Sequence, residues 1–365
     1  MTSPRHSRVL RYLSVFALCF AMLVIMKGAY TRLVDAGLGC PDWPGCYGML
    51  GVPQATEDVE RAEALYPDSP VEADKGWPEM IHRYIAATLG LFILIMAGLS
   101  LKQQRPGMKG GVPNISLHAS ALLAMVILQG LFGMWTVTLK LWPQVVTAHL
   151  LGGFATLSLL ALMSWRIWVP TITAAHNQLA AARRLRPLIV LAIVVLVVQI
   201  ALGGWMSANY AALACVDLPT CHGSYWPAMN FSRGFDFTQH VGPNYLGGML
   251  DSEARVAIHF THRVGAIVTT LVLLWLIVGV YRNGQPILQR LALVAGVLLT
   301  IQVALGITNV LAFVPLWSAV LHNAVAALLL VCLFSILYVQ TVLQPSASLD
   351  HNKDNMPNQS GTYSS

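Results

Sequence analysis

The sequence predicts an all-α integral membrane protein in which eight transmembrane helices form two pseudo-symmetric four-helix bundles. Three observations support this fold class. Hydrophobic residues make up 56% of the chain and charged residues only 10%, whereas about a quarter of the residues in a soluble domain are charged. Several apolar stretches are long enough to cross a bilayer, and the second half of the chain repeats the pattern of the first.

The apolar stretches set the number of helices. A helix needs roughly 20 residues to cross a hydrocarbon core of about 30 Å. Eight such stretches occur, at residues 12–33, 80–101, 116–138, 145–168, 187–208, 255–281, 288–312 and 317–341. Segments of alternating polarity, typical of a β-barrel, are absent from the sequence. The first stretch follows three arginines but lacks a small-residue cleavage site, so we interpret it as a retained helix and not as a signal peptide.

Basic residues predict the orientation of the helices. They cluster in every second connection, at Arg5, Arg8 and Arg11, at Lys102, Arg105 and Lys109, at Arg183, Arg184 and Arg186, and at Arg282 and Arg290. The positive-inside rule places these connections and both termini in the cytoplasm. A bacterial cytoplasmic membrane is expected, because no amphipathic transit segment precedes the first helix. The net charge of +6 therefore reflects topology in a lipid bilayer, and no nucleic-acid partner is expected.

An internal repeat divides the chain into halves. Residues 28–48 align without gaps on residues 203–223, and the His-Arg pair at His82 recurs at His262. An even number of helices per half predicts a parallel repeat about an axis along the membrane normal. The predicted organisation is an N-terminal half at 1–168, a cytoplasmic linker at 169–186, a C-terminal half at 187–343 and a disordered tail at 344–365.

Four cysteines fall in two predicted outer loops, Cys40 with Cys46 and Cys215 with Cys221. Outer loops face an oxidising space in which disulfides persist, so two local disulfides are expected. A zinc site is the weaker alternative, because no short Cys-x-x-Cys motif occurs. A redox-active cysteine pair remains a second alternative at this stage.

Four histidines share one predicted depth near the outer face: His82, His149, His262 and His322. Each half carries one histidine on its second helix and one on its fourth, an arrangement by which four-helix bundles hold an inserted cofactor. A histidine in a membrane helix can instead hydrogen-bond a neighbouring helix. Imidazole suits iron, and no carboxylate cluster accompanies the pairs, so two haem sites fit better than a di-iron centre.

Three arginines at the outer face break the charge bias of the rest of the chain. Arg83 and Arg263 each follow a candidate ligand, and Arg32 ends the first helix. Guanidinium groups bind carboxylates through paired hydrogen bonds, so these residues are candidate partners of haem propionates. Interfacial snorkelling of the long side chains is the alternative.

The two halves differ beside their first histidine. Glu79 stands three residues before His82, whereas His259 stands three residues before His262. Residues at this spacing share a helix face. A carboxylate beside only one haem predicts one reactive site and one electron-relaying site. His259 is either an alternative ligand or a partner of one.

Several segments resemble the haem A synthase family. They are GLGCPDWPGCYG after the first helix, EMIHRYIA in the second, HLLGGF in the fourth, THRVGA in the sixth and LHNAVAALLL in the eighth. The resemblance spans all eight helices. It implies that the protein oxidises the C8 methyl group of haem O to a formyl group by successive hydroxylation, giving haem A for cytochrome oxidase.

The resemblance also implies roles for individual residues. His82 and His149 correspond to the site of the substrate haem O, and Glu79 to the acidic residue beside it. His262 and His322 correspond to the ligands of a resident haem b. Both cysteine pairs, Cys40 with Cys46 and Cys215 with Cys221, correspond to outer-loop pairs of the family.

Two other functions remain open from the residues alone: a di-haem electron-transfer cytochrome and a haem carrier or chaperone. Because Glu79 places a carboxylate beside the histidine pair in only one half, we favour the enzyme over these two alternatives. A haem O synthase is expected to supply the substrate. The electron donor or acceptor is undetermined, as is whether the chain forms a homo-oligomer.

The alternating basic loops lead to a test of topology. Reporter fusions after Gly110 and after Pro227 should report the cytoplasmic and the outer side, respectively, because three predicted crossings separate the two positions. Alkaline phosphatase and fluorescent-protein fusions measure this directly. Both fusions reporting one side would contradict the eight-helix topology.

Overall fold

This computed structural model describes residues 8–102, 115–169 and 171–345 of the chain. Its eight long helices are α1 (Arg8–Leu33), α3 (Ala73–Lys102), α4 (Ser116–Thr138), α5 (Pro143–Trp168), α6 (His176–Ala208), α8 (Ser252–Arg282), α9 (Pro286–Leu311) and α10 (Leu316–Thr341). All eight are long and apolar enough to cross a membrane. This confirms the predicted fold class. Two short helices, α2 (Thr56–Leu65) and α7 (Phe231–Gly234), lie in the loops after α1 and α6.

The long helices form two four-helix bundles. In the N-terminal bundle, α1 and α4 each contact both α3 and α5. In the C-terminal bundle, α6 and α9 each contact both α8 and α10 in the same way. The two bundles meet where α5 packs against α6 and α10, and where α1 packs against α10. Helices α5 and α10 are consequently the most buried of the eight.

A hydrogen bond joins the two bundles. The Trp165 indole on α5 donates a hydrogen bond of 2.8 Å to the Ser335 hydroxyl on α10, where the two helices pack together. Lipid is as apolar as a leucine side chain, so helices in a membrane associate through close packing and interhelical hydrogen bonds. The contact between α5 and α10 uses both.

The backbone conformation recurs in the two halves, as the sequence pattern does. In the described part of the chain, the non-glycine residues with left-handed φ form matching sets in the two halves: Asp35 with Tyr210, Tyr47 with His222, Lys140 with Phe313, and Leu141 with Val314. Residues with side chains rarely adopt this conformation. Its recurrence at equivalent positions shows that each half builds the same loops between the same helices.

The observed helices extend beyond the predicted apolar stretches. Helix α6 begins at His176, so the predicted linker at 169–186 contributes its first turns and strand β1 (Ile172–Ala174). Strand β1 pairs in parallel with β2 (Leu343–Pro345) after α10. Hydropathy detects only the part of a helix that lipid surrounds, and the first turns of α6 are polar.

Part of the sequence interpretation lies outside the described residues. This applies to the basic residues Arg5, Arg105 and Lys109, and to the predicted tail beyond residue 345.

Candidate functional site

Disulfides close the two cysteine loops. Cys40 is bonded to Cys46 and Cys215 to Cys221, with Cα atoms 4.8 and 5.0 Å apart. The two predicted pairings are therefore confirmed, and these sulfur atoms are not ligands of zinc. All four cysteines are buried beneath the loop surface.

An aspartate organises the tip of each loop. The Asp42 carboxylate accepts hydrogen bonds from the backbone N–H groups of Tyr47 and Gly48, at 2.7 and 2.8 Å. Asp217 accepts the equivalent bonds from His222 and Gly223, at 2.8 and 3.0 Å. The Thr220 hydroxyl and these backbone donors lower the pKa of the Asp217 carboxyl to about 2. The Asp217 carboxylate therefore remains charged at neutral and mildly acidic pH.

The arginines after His82 and His262 bind the cysteine loops. Arg83 donates to the backbone carbonyl groups of Asp42, at 2.9 Å, and Gly45. Arg263 donates to the carbonyl groups of Thr220 and Cys215, at 2.9 and 2.8 Å. Each loop is thus attached to the helix that carries the first histidine of its half.

The third arginine joins the two halves. Arg32 on α1 donates to the Ser207 carbonyl on α6 at 2.6 Å and lies over the Tyr210 ring at 4.2 Å. Asp35 completes the contact, since it accepts from the Tyr210 hydroxyl at 3.0 Å. Ser207 and Tyr210 are themselves the repeat counterparts of Arg32 and Asp35, so this contact lies on the pseudo-twofold axis.

Two of these arginines retain a buried donor. The Nε atoms of Arg32 and Arg263 have no hydrogen-bond partner among the described residues. A guanidinium group has five N–H donors, so the contacts described above leave one donor of each of these arginines unused. The Arg83 guanidinium also pairs with Glu79, and the Arg32 guanidinium pairs with Asp35 at 3.4 Å. Propionate pairing by the three arginines stays a prediction, and the free donors favour Arg32 and Arg263.

Glu79 is buried and both its oxygens are engaged. One oxygen forms an ion pair with Arg83, and the other accepts a hydrogen bond of 3.1 Å from the backbone N–H of Cys40. The carboxylate therefore connects the first disulfide loop to the turn that carries His82. Its ion pair keeps a negative charge next to a cation inside the protein, which reduces the cost of burying either charge alone.

His259 occupies the position of Glu79 in the C-terminal half. It is buried, and its Nδ1 lies 3.0 Å from the Ala211 carbonyl oxygen. The carbonyl group can only accept, so Nδ1 carries the proton. His259 therefore holds its loop by donating a hydrogen bond to a backbone carbonyl group. Glu79 holds the first loop by accepting a hydrogen bond from a backbone N–H group. This hydrogen bond joins the His259 side chain to the loop that follows α6.

Each of the four candidate ligands lies against a glycine on a neighbouring helix. A Cβ atom on that glycine would lie 2.8 to 3.3 Å from the imidazole Cε1 atom, for the pairs Gly28 with His82, Gly133 with His149, Gly203 with His262, and Gly306 with His322. Such distances are shorter than ordinary van der Waals contacts. Because glycine has no side chain, each imidazole can lie directly against the backbone of the neighbouring helix.

Glutamines one turn before these glycines bind three of the histidines. Gln129 donates to the His149 backbone carbonyl at 2.7 Å. Gln302 lies 3.2 Å from His322 Nε2. Gln199 lies 3.1 Å from His262 Nδ1 and donates to the His262 carbonyl at 2.9 Å. The corresponding residue before Gly28 is Val24.

The two histidines of each bundle lie close enough to interact electrostatically, His82 with His149 and His262 with His322. The Nδ1 atoms of His82, His149 and His322 are buried without a hydrogen-bond partner in the described protein. Nowhere in the described ranges do three His, Cys, Asp or Glu side chains gather to hold a metal ion by themselves. Paired imidazoles with unsatisfied nitrogens fit a metal whose remaining ligands come from a macrocycle, as in haem.

Sequence reasoning did not consider two further polar residues. Lys27 on α1 lies over the Tyr30 ring at 4.5 Å and close enough to His82 for electrostatic interaction. A lysine inside an apolar helix was the available signal. His118 on α4 lies 2.9 Å from the Leu159 carbonyl oxygen and 3.2 Å from the Arg166 guanidinium. His118 links α4 to α5 and does not join the four paired histidines.

The histidine and glycine contacts lead to a test. Gly28→Ala would place a methyl group 2.8 Å from His82 Cε1, so the imidazole must shift. Overpacking of this kind costs about 1–3 kcal/mol, and we expect iron-porphyrin binding at the N-terminal pair to weaken by about tenfold. Absorbance titration of the purified protein with haem measures this affinity.

Gly90→Ala is the matched control, because a Cβ atom at Gly90 meets nothing within 4 Å. It should leave the affinity unchanged while adding the same methyl group to a membrane helix. Equal behaviour of the two variants would show that the close contact with Gly28 does not position His82.

Comparison with known proteins places this site in a family. Residues 11–334 match the model of the COX15-CtaA family, described as cytochrome oxidase assembly proteins. The heme A synthase of Shewanella oneidensis is 45% identical over 90% of this chain and 96% of its own length. The heme A synthase of Caulobacter vibrioides is 28% identical over 87% of this chain and 91% of its own length. That of Methylobacterium radiotolerans is 29% identical over 88% of this chain and 87% of its own length. The chain therefore belongs to the COX15-CtaA family of cytochrome oxidase assembly proteins, to which the haem A synthases belong.

Proposed function

We propose that this protein oxidises the C8 methyl group of haem O to a formyl group by successive hydroxylation, which gives haem A. The haem A synthases to which the chain is similar support the reaction. The single observation that supports two unequal haem sites is that both bundles hold a partly buried histidine pair, whereas a buried carboxylate three residues before the first histidine occurs only in the N-terminal bundle.

The N-terminal bundle binds the substrate in this proposal. His82 and His149 hold the iron of haem O, and their glycine contacts fix both imidazoles against helix backbones. Glu79 is the group that accepts a proton or stabilises positive charge as the methyl group is oxidised. Its oxygens are engaged by Arg83 and the Cys40 amide, so the carboxylate is held in one place before substrate arrives.

The C-terminal bundle holds the resident cofactor. His262 and His322 bind the iron of haem b, which would supply a one-electron couple when bound. His259 attaches the second disulfide loop to the same helix and leaves no carboxylate beside the pair. The Nε donor of Arg263 and that of Arg32 are suited to carboxylates at the outer face.

Partners and location follow from the same proposal. Haem O comes from a haem O synthase, and an external redox partner exchanges electrons with the protein. The protein spans a bacterial cytoplasmic membrane several times, with both termini in the cytoplasm, since its basic residues cluster in alternate connections.

The role of Glu79 leads to a test of mechanism. Glu79→Gln keeps the size of the side chain and a hydrogen-bond acceptor for the Cys40 amide but removes the negative charge. We expect the variant to retain haem b and to accumulate haem O or a partly oxidised haem, with haem A production lowered at least ~100-fold. Chromatography of haems extracted from the purified protein measures the ratio.

His259→Gln is the matched control at the equivalent position of the other half. It also alters the attachment of a disulfide loop, but it should leave haem A production near normal. Near-normal haem A from Glu79→Gln would remove Glu79 from the chemistry. Equal losses in both variants would assign Glu79 the role of a loop anchor.

The resident cofactor has its own test. His262→Ala or His322→Ala should remove the low-spin haem b signal, because each variant deletes one of the two imidazoles that would hold the iron. Absorbance and electron paramagnetic resonance spectra of the purified protein measure the signal. His240→Ala, in an exposed loop, is the control and should keep the full spectrum. An unchanged spectrum in the His262 and His322 variants would contradict the assignment.

A further inference from the structure

Two consecutive glycines on α6 pack against different bundles. Gly203 lies against the first histidine of its own bundle. A Cβ atom on Gly204 would instead lie 2.9 Å from Leu150 Cδ2 and 3.3 Å from Thr147 Cγ2, both on α5 of the other bundle. Thr147 and Leu150 stand on either side of His149 in the sequence. One turn of α6 is therefore packed against residues beside a candidate ligand in each half.

Helices α5 and α6 approach closely at Gly204. The same Cβ atom would lie 3.7 Å from Thr147 Cα, which is a backbone atom. Membrane helices pack closely where a small residue leaves the backbone accessible. The repeat counterpart of Gly204 on α1 is Ala29, so this glycine occurs in only one half. A branched side chain at Gly204 would push against the α5 backbone, which cannot rotate away as a leucine side chain can.

A segment of the loop before α8 holds the outer end of α5. We call residues 234–245 the outer strap. Three hydrogen bonds join the strap to the N-terminal half: from Trp142 Nε1 to the Gln239 carbonyl at 3.1 Å, from Gln144 Nε2 to the Phe237 carbonyl at 3.2 Å, and from the Tyr245 N–H to the Lys140 carbonyl at 3.0 Å. The loop of the C-terminal half therefore binds the first turn of a helix in the N-terminal half.

The outer strap is also attached to α6. Trp205, which follows Gly204, donates from its indole to the Gly234 carbonyl at 2.8 Å. The Trp205 ring lies 4.9 Å from the Phe237 ring. The strap thus joins α5 to α6 one turn beyond the close contact at Gly204.

This attachment is specific to the helix that carries His149. The repeat counterparts of Trp142 and Gln144, at the start of α10, are Pro315 and Trp317. Pro315 has no side-chain donor, and the Trp317 side chain is 61% exposed. The start of α10 therefore does not offer the two donors that bind the strap.

We propose that Gly204 and Trp142 are positioning residues for His149, through which the C-terminal half sets the depth and rotation of α5. This inference rests on the proposed binding of the haem O iron by His149. A metal ligand binds well only when surrounding residues hold its side chain in the productive geometry. The substrate site is consequently completed by the half that holds the resident haem.

Titration of haem O into the purified full-length protein that carries haem b tests the Gly204 contact. Gly204→Val should weaken haem O binding by about tenfold, because overpacking displaces α5. The low-spin electron paramagnetic resonance signal of the added iron should shift, while the haem b signal stays. Gly296→Val is the control, since a Cβ atom there meets its nearest neighbour, Ile277, at 3.9 Å. It should leave haem O binding unchanged.

A double-mutant cycle separates this contact from a general loss of folding. Leu150→Ala removes the side chain that lies nearest to a Cβ atom at Gly204. The variant that combines it with Gly204→Val should lose less affinity than the sum of the two single losses. Additive losses would overturn the role of the contact. An equal weakening of haem b binding in Gly204→Val would also overturn it, because Gly204 would then support its own bundle.

The outer strap has a separate test. Trp142→Phe keeps an aromatic ring but removes the donor to the Gln239 carbonyl. It should weaken haem O binding by about fivefold, the effect of one lost hydrogen bond, and leave haem b bound. Trp317→Phe is the matched control at the start of α10. Unchanged haem O affinity in Trp142→Phe, or an equal loss in Trp317→Phe, would overturn the role of the strap.

Failure of this inference can be told apart from failure of the proposed function. If His149→Ala binds haem O as tightly as the unaltered protein, His149 is not the ligand and the proposed substrate site is wrong. If His149→Ala loses haem O while Gly204→Val and Trp142→Phe keep full affinity, only the positioning roles are wrong.

Discussion

The contact between an imidazole and a helix backbone at a glycine is the interaction on which both bundles depend. Lipid offers no hydrogen bonds to a polar side chain, so each histidine must lie inside the bundle. Gly28, Gly133, Gly203 and Gly306 allow this by removing the side chain that would occupy the space of the ring. The first and second helices of each half approach closely at one such contact, and the third and fourth at the other.

The two disulfide loops are attached to the helices that carry the first histidine of each pair. Arg83 and Arg263 directly follow the first histidine of each half and bind the carbonyl groups of the disulfide loops. One guanidinium group therefore connects each loop to the turn that carries the first histidine of its half. Glu79 and His259 strengthen this attachment, with opposite hydrogen-bonding roles. The disulfides keep the loops compact enough for one arginine to reach several carbonyl groups.

Features that recur in both halves could be predicted from the sequence, whereas many contacts that occur in only one half could not. Apolar length gave the eight helices, and the spacing of His82, His149, His262 and His322 predicted their pairing. The partners of Arg83 in the disulfide loop could not be read from the sequence, because they are backbone atoms about 40 residues away. Gln199 was missed because it has no counterpart in the other half and contacts a histidine 63 residues later. Amphipathic helix α2 carries too little apolar surface to be detected by a search for membrane spans.

The differences between the halves are concentrated on two helices of each bundle. On the third and fourth helices, glutamine, glycine and histidine recur unchanged, as Gln129, Gly133 and His149 and as Gln302, Gly306 and His322. On the first and second helices the residues change, at Val24 and Gln199, Lys27 and Leu202, Glu79 and His259, and Ile85 and Gly265. This side of each site keeps the three residues, although Gly152, which lies against Gln129, is replaced by Val325 in the second bundle. The other side carries a lysine and a carboxylate in the first bundle, where the second has a leucine and a histidine. An arginine follows the first histidine in both bundles, so the same fold places two additional charged side chains near only one of the two histidine pairs.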